Sequence, residues 1–138
     1  MRIGTKNFPS ENYAIIPAYN EEKNIKEIVT RLKAVNITPL VVDDKSEDKT
    51  VEIAEKVGVK VLKHEVNKGK GEAIKTGVSY LLENTDFKYL ILIDADMQYV
   101  PEEATNLLKP LQKGEADIVT GYRDWSTVPF RHVWGNFV

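Results

Sequence analysis

Short apolar runs alternate with amphipathic helical segments along most of this chain, and this alternation is the strongest constraint on its fold. Strands that alternate with helices indicate β-α-β units, in which the strands run parallel and helices cover the sheet. The sequence therefore predicts an α/β domain with a mostly parallel sheet. The predicted strands are Tyr13–Pro17, Leu40–Val42, Val59–Leu62, 89–93 and Asp117–Thr120.

The helices are predicted from apolar spacing and from residues that favour helix ends. The first helix has its apolar residues at helical spacing, and Asn20 can cap its start. These apolar residues are Ile25, Ile28, Val29 and Leu32. Ser46 or Asp48 can cap the second helix, and Gly58 can end it. Pro101 suits the first turn of a later helix.

The composition is that of a single-domain globular protein. The chain has 138 residues, and its net charge of −2 argues against a nucleic-acid-binding protein, which usually carries a basic excess. The absence of cysteine excludes disulfides, zinc–thiolate sites and cysteine nucleophiles. No stretch is long and apolar enough for a transmembrane helix. We expect a cytoplasmic protein with a polar leader over residues 1–12 and one domain over residues 13–138.

The segment Asp94–Gln98 is the clearest candidate for a metal site. It follows Leu90–Ile93, whose consecutive apolar residues predict a strand buried on both faces. Alternate side chains of an extended backbone point the same way, so Asp94, Asp96 and Gln98 can aim at one point. Two such carboxylates repel each other unless a cation lies between them, and oxygen ligands favour Mg²⁺ or Mn²⁺. The alternative is a strand end with two solvated acids.

Polar residues follow several of the predicted strands, and packing does not require them there. In open parallel sheets ligands bind outside the carboxyl ends of the strands. The clusters at these ends are Pro17–Glu21, Asp43-Asp44, Asp94–Asp96 and Gly121–Arg123. Their coincidence at successive strand ends predicts a ligand site along one edge of the sheet.

Three further features admit both a binding role and a plain structural one. Asp43 or Asp44 can accept hydrogen bonds from a nucleobase or ribose, or can belong to the caps and turns before the second helix. The loop Asn67–Gly71 can hold phosphate through backbone N–H groups and lysine charge, or can be a surface turn. Arg123 and Arg131 can pair with phosphates, although isolated surface arginines are common.

Taken in order, these motifs resemble those of the family 2 glycosyltransferases, and most closely the dolichol- or polyprenyl-phosphate mannose and glucose synthases. The resemblance extends from about residue 13 to residue 136, and its motifs are Ile15–Glu22, Val41–Ser46, Asn67–Gly71 and Asp94–Gln98. It implies a Rossmann-like GT-A fold in three α/β/α layers. It also implies an inverting transferase with a nucleotide-diphosphate-sugar donor, such as GDP-mannose or UDP-glucose, and a divalent metal, Mn²⁺ or Mg²⁺.

The resemblance also assigns roles by position. Tyr19 would lie near the base, Glu21 would bond base or ribose, and one of Asp43 and Asp44 would read base and ribose on the second strand. Catalysis and metal binding fall to Asp94 and Asp96, with Gln98 as a further metal ligand. The residues implied in donor binding are Pro17, Tyr19, Glu21, Val42, Asp43, Asp44, Lys70, Ala95, Arg123 and Arg131.

The family normally continues well beyond the strand that here ends at Gly121–Arg123. We therefore expect a C-terminally abbreviated GT-A domain that contains the donor-binding half and lacks the usual acceptor part. The resemblance implies a polyprenyl or dolichyl phosphate acceptor, and with it a position at the membrane surface. The aromatic-rich segment 125–138 indicates either a surface for a partner chain or a second copy, or an incomplete domain.

Two other functions are compatible with parts of the sequence. The first is a non-catalytic module or subunit that binds a nucleotide sugar. The second is a phospho-acceptor receiver domain, in which Asp43-Asp44 would be the acidic pair and Asp94 the phosphorylated residue. The order of elements disfavours the receiver, because the strand Tyr13–Pro17 precedes the acidic pair and Lys109 lies in a predicted helix.

Overall fold

The fold is a four-stranded parallel sheet with helices on both faces, seen in a computed structural model that describes residues 11–119. The strands are β1 (Asn12–Ala18), β2 (Thr38–Asp43), β3 (Lys60–Lys63) and β4 (Tyr89–Leu92). The helices are α1 (Ile25–Ala34), α2 (Thr50–Val57), α3 (Lys70–Asn84) and α4 (Ala104–Gln112). The strand order is β3-β2-β1-β4, so the predicted parallel α/β architecture is confirmed.

Two cores, one on each face of the sheet, hold the layers together. Residues of α1, α2 and α4 pack on the face that carries Ile16 and Val41, whereas α3 packs on the face that carries Ile15 and Val42. The predicted apolar residues of α1 are all fully buried: Ile25, Ile28, Val29 and Leu32. The three layers of the predicted fold are therefore present in the described residues.

The helix ends agree with the sequence in two places and differ in a third. Gly58 ends α2 with a left-handed φ of 86°, and Pro101 begins a short 3₁₀ turn, Pro101–Glu103, before α4. The predicted cap at Asn20 is wrong, because α1 begins only at Ile25. The side-chain oxygen of Asn20 instead accepts a hydrogen bond from the Glu47 N–H at 2.8 Å, a contact with a distant loop that local spacing could not reveal.

The prediction that β4 is buried on both faces is also wrong. Ile91 and Ile93 are buried, but 55% of Leu92 is exposed on the opposite face. The physical reason is that α3 packs across β1 and β2 rather than over β4, which is an edge strand among the described residues.

The described part of the last predicted strand, residues 117–119, is not in a strand, and Ile118 is 82% exposed. None of residues 11–119 pairs with that segment, and a strand requires a hydrogen-bonded neighbour.

A bidentate ion pair fixes the turn that follows the Asp94–Gln98 segment. Arg31 of α1 donates to both carboxylate oxygens of Glu102, with N···O distances of 2.7 and 2.6 Å. The planar guanidinium matches the carboxylate, so this pair sets orientation as well as distance. Arg31 thereby joins α1 to the 3₁₀ turn before α4.

Gly77 lets α3 approach β1, and its substitution tests that packing. A Cβ atom on Gly77 would lie 2.9 Å from the side-chain atoms of the fully buried Ile15. Overpacking typically costs about 1–3 kcal/mol, and the better helix propensity of alanine returns up to about 1 kcal/mol. We expect Gly77→Ala to lower the free energy of unfolding by about 1 kcal/mol, measured by urea denaturation. Gly71→Ala in the same helix is the control, because nothing lies within 4 Å of its added methyl group.

An unchanged or higher stability for Gly77→Ala, relative to Gly71→Ala, would contradict this account of the contact between α3 and β1.

Candidate functional site

Most of the predicted site residues within residues 11–119 lie at the carboxyl edge of the sheet, where the strand order reverses. The chain builds β1, β2 and β3 outward in one direction and then places β4 on the other side of β1. The ends of β1 and β4 therefore flank a topological switch point, the usual ligand position in open α/β sheets. Tyr19 follows β1 at this edge and is 47% exposed, while Asp94 follows β4.

Hydrogen bonds tie the loop after β1 to the loop after β2. The N–H groups of Asn20, Glu21 and Glu22 donate to Ser46 Oγ at 2.9 Å, Thr50 Oγ1 at 2.8 Å and Asp48 Oδ2 at 3.2 Å. In return, the N–H groups of Glu47 and Lys49 donate to the side chains of Asn20 and Glu22. These reciprocal bonds make the two loops one wall of the site.

Asp44 is the buried centre of a second network. Its carboxylate lies 2.8 Å from His64 Nδ1 and accepts the N–H groups of Lys68 and Gly69, each at 2.8 Å. The other ring nitrogen of His64 lies 2.8 Å from Thr76 Oγ1 of α3. Burial alone would raise the pKa of Asp44, but the hydrogen bonds from His64 and the two N–H groups outweigh it and hold the pKa below its usual range.

This network changes the interpretation of the loop Asn67–Gly71. The N–H groups of Lys68 and Gly69 are the kind of donors that could cradle a phosphate, but the internal carboxylate of Asp44 already occupies them. Asn67 also donates to the Asp44 carbonyl at 3.1 Å. The loop is therefore a structural turn held by Asp44. Phosphate contact there would come from lysine side chains, of which Lys70 is the predicted one.

Asp43 differs from its neighbour in having a free acceptor. One carboxylate oxygen accepts the Ser46 N–H at 3.0 Å, whereas Oδ1 is buried and has no hydrogen-bond partner among residues 11–119. Asp43 is only 3% exposed, so this oxygen is an unsatisfied acceptor at the end of β2. Of the two acids that the sequence left open, Asp44 has its carboxylate engaged by the fold, whereas Asp43 has one carboxylate oxygen without a partner among residues 11–119.

The segment Asp94–Gln98 turns sharply after β4. Asp96 is exposed, and its Oδ1 accepts the Gln98 N–H at 3.1 Å across Met97, which has a left-handed φ of 60°. Asp94 is partly exposed, and its Oδ1 pairs with Lys70 Nζ at the start of α3. Ala95 is buried in the core between them. The turn thus presents both carboxylates at the surface and has an ammonium group on one of them.

Negative charge is concentrated around Glu21. Burial raises the pKa of the Glu21 carboxyl above its usual range; the hydrogen bond from Asn24 lowers it, and the charges of Asp96, Asp48 and Asp94 raise it further. The structure therefore brings Glu21 within electrostatic reach of Asp94 and Asp96, although they come from different strand ends.

The oxygen atoms of Asp94, Asp96 and Gln98 suit a hard divalent cation whose coordination is completed by other ligands. Asp94, Asp96 and Gln98 offer oxygen atoms, and the ammonium of Lys70 already stands at Asp94 in the place of a cation. Among residues 11–119 no group of three or more His, Cys, Asp or Glu side chains is placed to hold a metal ion. A metal here would therefore take its other ligands from Gln98, water or a bound phosphate.

Several predicted site residues lie beneath the edge or outside the described residues. The side chain of Val42 is fully buried in the core under α3, so it lies beneath the edge rather than at it. Pro17 is half-buried near the end of β1. Arg123, Arg131 and the segment 125–138 lie outside the described residues. The sequence also missed the network of His64 and Thr76, which an isolated histidine and a helical threonine do not signal.

A cavity of about 700 Å³ opens at the opposite, amino-terminal end of the strands. Tyr13, Thr38, Lys60 and Tyr80 are among its lining residues, and none of the predicted site residues lines it. The candidate site is thus an open edge of the sheet and is distinct from this cavity.

Comparison with known proteins decides the family. Residues 13–136 match the profile described as Glycosyl transferase family 2. The chain belongs to this family. The resemblance drawn from the sequence motifs is therefore confirmed, and the receiver-domain alternative is excluded. As a member of family 2, the chain is a glycosyltransferase domain by resemblance, and its parallel sheet with flanking helices is the GT-A fold.

Two of the curated relatives with functional names illustrate the similarity. The chain is 32% identical over 139 residues to the UDP-N-acetylglucosamine–dolichyl-phosphate N-acetylglucosaminyltransferase of Methanococcus voltae, covering 88% of this chain and 55% of that protein. It is 33% identical over 117 residues to the dolichol-phosphate mannosyltransferase of Pyrococcus furiosus, covering 79% of this chain and 32% of that protein. The chain therefore spans about half or less of the length of these relatives.

A solved structure supports the fold. Glucosyl-3-phosphoglycerate synthase from Mycobacterium tuberculosis, in complex with Mn²⁺, UDP and glucosyl-3-phosphoglycerate, superposes with a TM-score of 0.61 at 25% identity. The match covers 72% of this chain and 38% of that one.

Within residues 11–119, no helix has the length and apolar character needed to span a membrane.

Replacing Asp44 tests whether its carboxylate holds the site together. Because the folded-state pKa lies below the unfolded-state value, ionised Asp44 stabilises the fold above the unfolded-state pKa, and this contribution is lost as the pH falls through the folded-state pKa. Near neutral pH we expect Asp44→Asn to cost about 2 kcal/mol, the scale of hydrogen bonds to a charged group. Urea unfolding across acidic and neutral pH measures both effects.

The exposed Asp86→Asn is the control variant. If Asp44→Asn matched it in stability and in pH dependence, the network around Asp44 would not be what holds the loop.

Proposed function

We propose that this chain forms the donor-binding part of an inverting glycosyltransferase. Its donor is a nucleoside diphosphate sugar, of the GDP-mannose or UDP-glucose type, and its acceptor is a polyprenyl or dolichyl phosphate. The observation that carries the proposal is the pairing of Lys70 with Asp94 at the switch-point edge of a family 2 chain. Glu21 lies within electrostatic reach of Asp94 and Asp96.

The chemistry of the edge fits a diphosphate leaving group. In the proposed reaction an acceptor phosphate oxygen attacks the anomeric carbon, the bond from that carbon to the diphosphate breaks, and the configuration inverts. Asp94, Asp96 and Gln98 would hold Mn²⁺ or Mg²⁺, which when bound neutralises charge that develops on the departing diphosphate. The solved relative that contains Mn²⁺ and UDP supports this assignment. Lys70 would add a cation beside the same oxygens.

The nucleoside is assigned to the neighbouring strand ends. Asp43, with its buried free oxygen, would accept a hydrogen bond from the base or ribose. Tyr19 exposes an aromatic ring on which a base could stack, and Pro17 and Glu21 lie along the same strand end. Arg123 and Arg131 remain proposed phosphate contacts.

The acceptor is inferred from the relatives and from reactivity. The two named relatives differ in the sugar of their names, N-acetylglucosamine in one and mannose in the other, but both names contain dolichyl or dolichol phosphate. A phosphate acceptor is already anionic and needs little help from a general base. An acceptor of this kind lies in a membrane, so we propose that the protein works at a membrane surface.

A non-catalytic module that binds a nucleotide sugar is the second candidate function. It would use the same edge of the sheet, because Asp43, Asp94 and Lys70 would contact a nucleotide whether or not transfer follows. Incubation of the chain with GDP-mannose or UDP-glucose, Mn²⁺ and a polyprenyl phosphate separates the two. Transfer of sugar to the lipid supports the enzyme, whereas metal-dependent nucleotide binding without transfer supports the module.

Asp96→Ala tests the metal assignment. We expect Mn²⁺ to strengthen binding of GDP or UDP to the wild-type chain, and we expect this enhancement to be lost in the variant because a metal ligand is gone. If the activity is present, the rate should fall by about a hundredfold or more. Isothermal titration calorimetry with and without Mn²⁺ measures the binding effect, and Asp86→Ala serves as an exposed control.

Asp96→Asn retains an acceptor for the Gln98 N–H, so it separates loss of the metal from loss of the turn. Nucleotide binding by Asp96→Ala that equals wild type in both conditions would refute the assignment.

Asp43→Asn tests which of the paired acids reads the nucleoside. We expect nucleotide affinity to fall by about tenfold, the scale of one lost charged hydrogen bond, while fold stability changes little because Oδ1 has no partner to lose among the described residues. Asp44→Asn is the matched comparison, with a large stability loss expected instead. The opposite pattern, measured by calorimetry and urea unfolding, would reassign the two acids.

A further inference from the structure

Lys70 pairs with Asp94, the carboxylate that the proposed metal would need. The pair joins the first residue of α3 to the segment after β4, and both side chains are partly exposed, at 59% and 30%. We propose that Lys70 competes with the divalent cation for Asp94, and that the nucleotide diphosphate draws Lys70 away and so couples metal binding to donor binding. This inference rests on the proposed function.

Hydrogen bonds hold the backbone just before Lys70, whereas 59% of the Lys70 side chain is exposed. The two preceding N–H groups, of Lys68 and Gly69, are held by the buried carboxylate of Asp44. Gly69 has a φ of 94°, which sets the start of α3 at Lys70. His64 ties the same carboxylate to Thr76 of α3. The lysine is therefore a partly exposed side chain on a backbone that the Asp44 network positions.

Charge explains why the lysine rests on Asp94 and why it can leave. Asp94, Asp96 and Glu21 are close enough to interact electrostatically, so the edge attracts a cation. A single ammonium supplies one charge to this cluster, whereas a divalent cation supplies two and prefers carboxylate oxygens. A bound divalent cation would also repel the ammonium, and a diphosphate would offer the displaced ammonium two anionic groups.

Coupling follows from this exchange. With the lysine on Asp94, the metal must displace it, and metal affinity is reduced. With a diphosphate present, the lysine has another partner and Asp94 becomes available. Each ligand therefore raises the affinity for the other by the same factor, as linkage requires. Removing the ammonium should strengthen binding of the metal alone and weaken the coupling.

An ordinary surface ion pair on the same helix provides the matched control. Lys75 pairs with Glu72 at 3.3 Å within α3, and its side chain is 76% exposed. Lys75→Met removes the same charge from the same helix without touching Asp94. Lys70→Arg keeps a cation at the site, so it should behave like wild type when metal is titrated alone.

The experiment is calorimetric titration of Mn²⁺, alone and with saturating GDP or UDP, into wild type, Lys70→Met, Lys70→Arg and Lys75→Met. We expect Lys70→Met to bind Mn²⁺ alone about two- to fivefold more tightly, the scale of a partly exposed ion pair. We expect the nucleotide to enhance its Mn²⁺ affinity less than it does in wild type. Circular dichroism checks that each variant is folded.

The outcomes separate this inference from the proposed function. If wild type binds Mn²⁺ and nucleotide together but Lys70→Met has an unchanged or weaker affinity for Mn²⁺ alone, the competition is refuted and the proposed function stands. An equal gain in Lys75→Met would also refute it, because the effect would then be general charge. If neither wild type nor Lys70→Met binds Mn²⁺ or nucleotide, the proposed function and this inference both fail.

Discussion

The carboxylate of Asp44 accepts hydrogen bonds from the backbone of one loop and pairs with a buried histidine, and the geometry of the site depends on these bonds. It joins the end of β2 to the start of α3, since Lys68 and Gly69 immediately precede that helix. Because the carboxylate is buried, each bond forms in a low dielectric and none can be replaced by water without cost. The position of Lys70 at the edge follows from this anchor.

At the rest of this edge, too, hydrogen bonds hold the backbone while several side chains stay exposed. The loops after β1 and β2 hold one another through backbone N–H groups and short polar side chains. Arg31 fixes the turn beyond the Asp94–Gln98 segment from the far side. The side chains left exposed at this edge include Tyr19, Asp96 and Lys70, which is the arrangement expected of a preorganised binding site.

The sequence predicted which polar residues lie at the carboxyl edge of the sheet, but it could not predict the surroundings of each one. Polar clusters after successive strands identify the edge because parallel strands end on the same side. Asp43 and Asp44 cannot be distinguished in this way, since they are chemically identical neighbours. Their difference arises from partners about twenty residues away, His64, Lys68 and Gly69, which only the folded chain brings to Asp44. The same holds for Asn20, whose partner Glu47 lies in another loop.

By itself, the sequence determined the alternation of strands and helices, the buried face of α1 and the family, because these depend on local periodicity and on motifs in a fixed order. Tertiary structure decided the strand order β3-β2-β1-β4, the one-sided burial of β4 and the pairing of Lys70 with Asp94. These features depend on contacts between residues far apart in the chain, and the energy of such contacts is set by burial and by hydrogen-bond geometry. Local sequence patterns do not specify which distant residues come into contact.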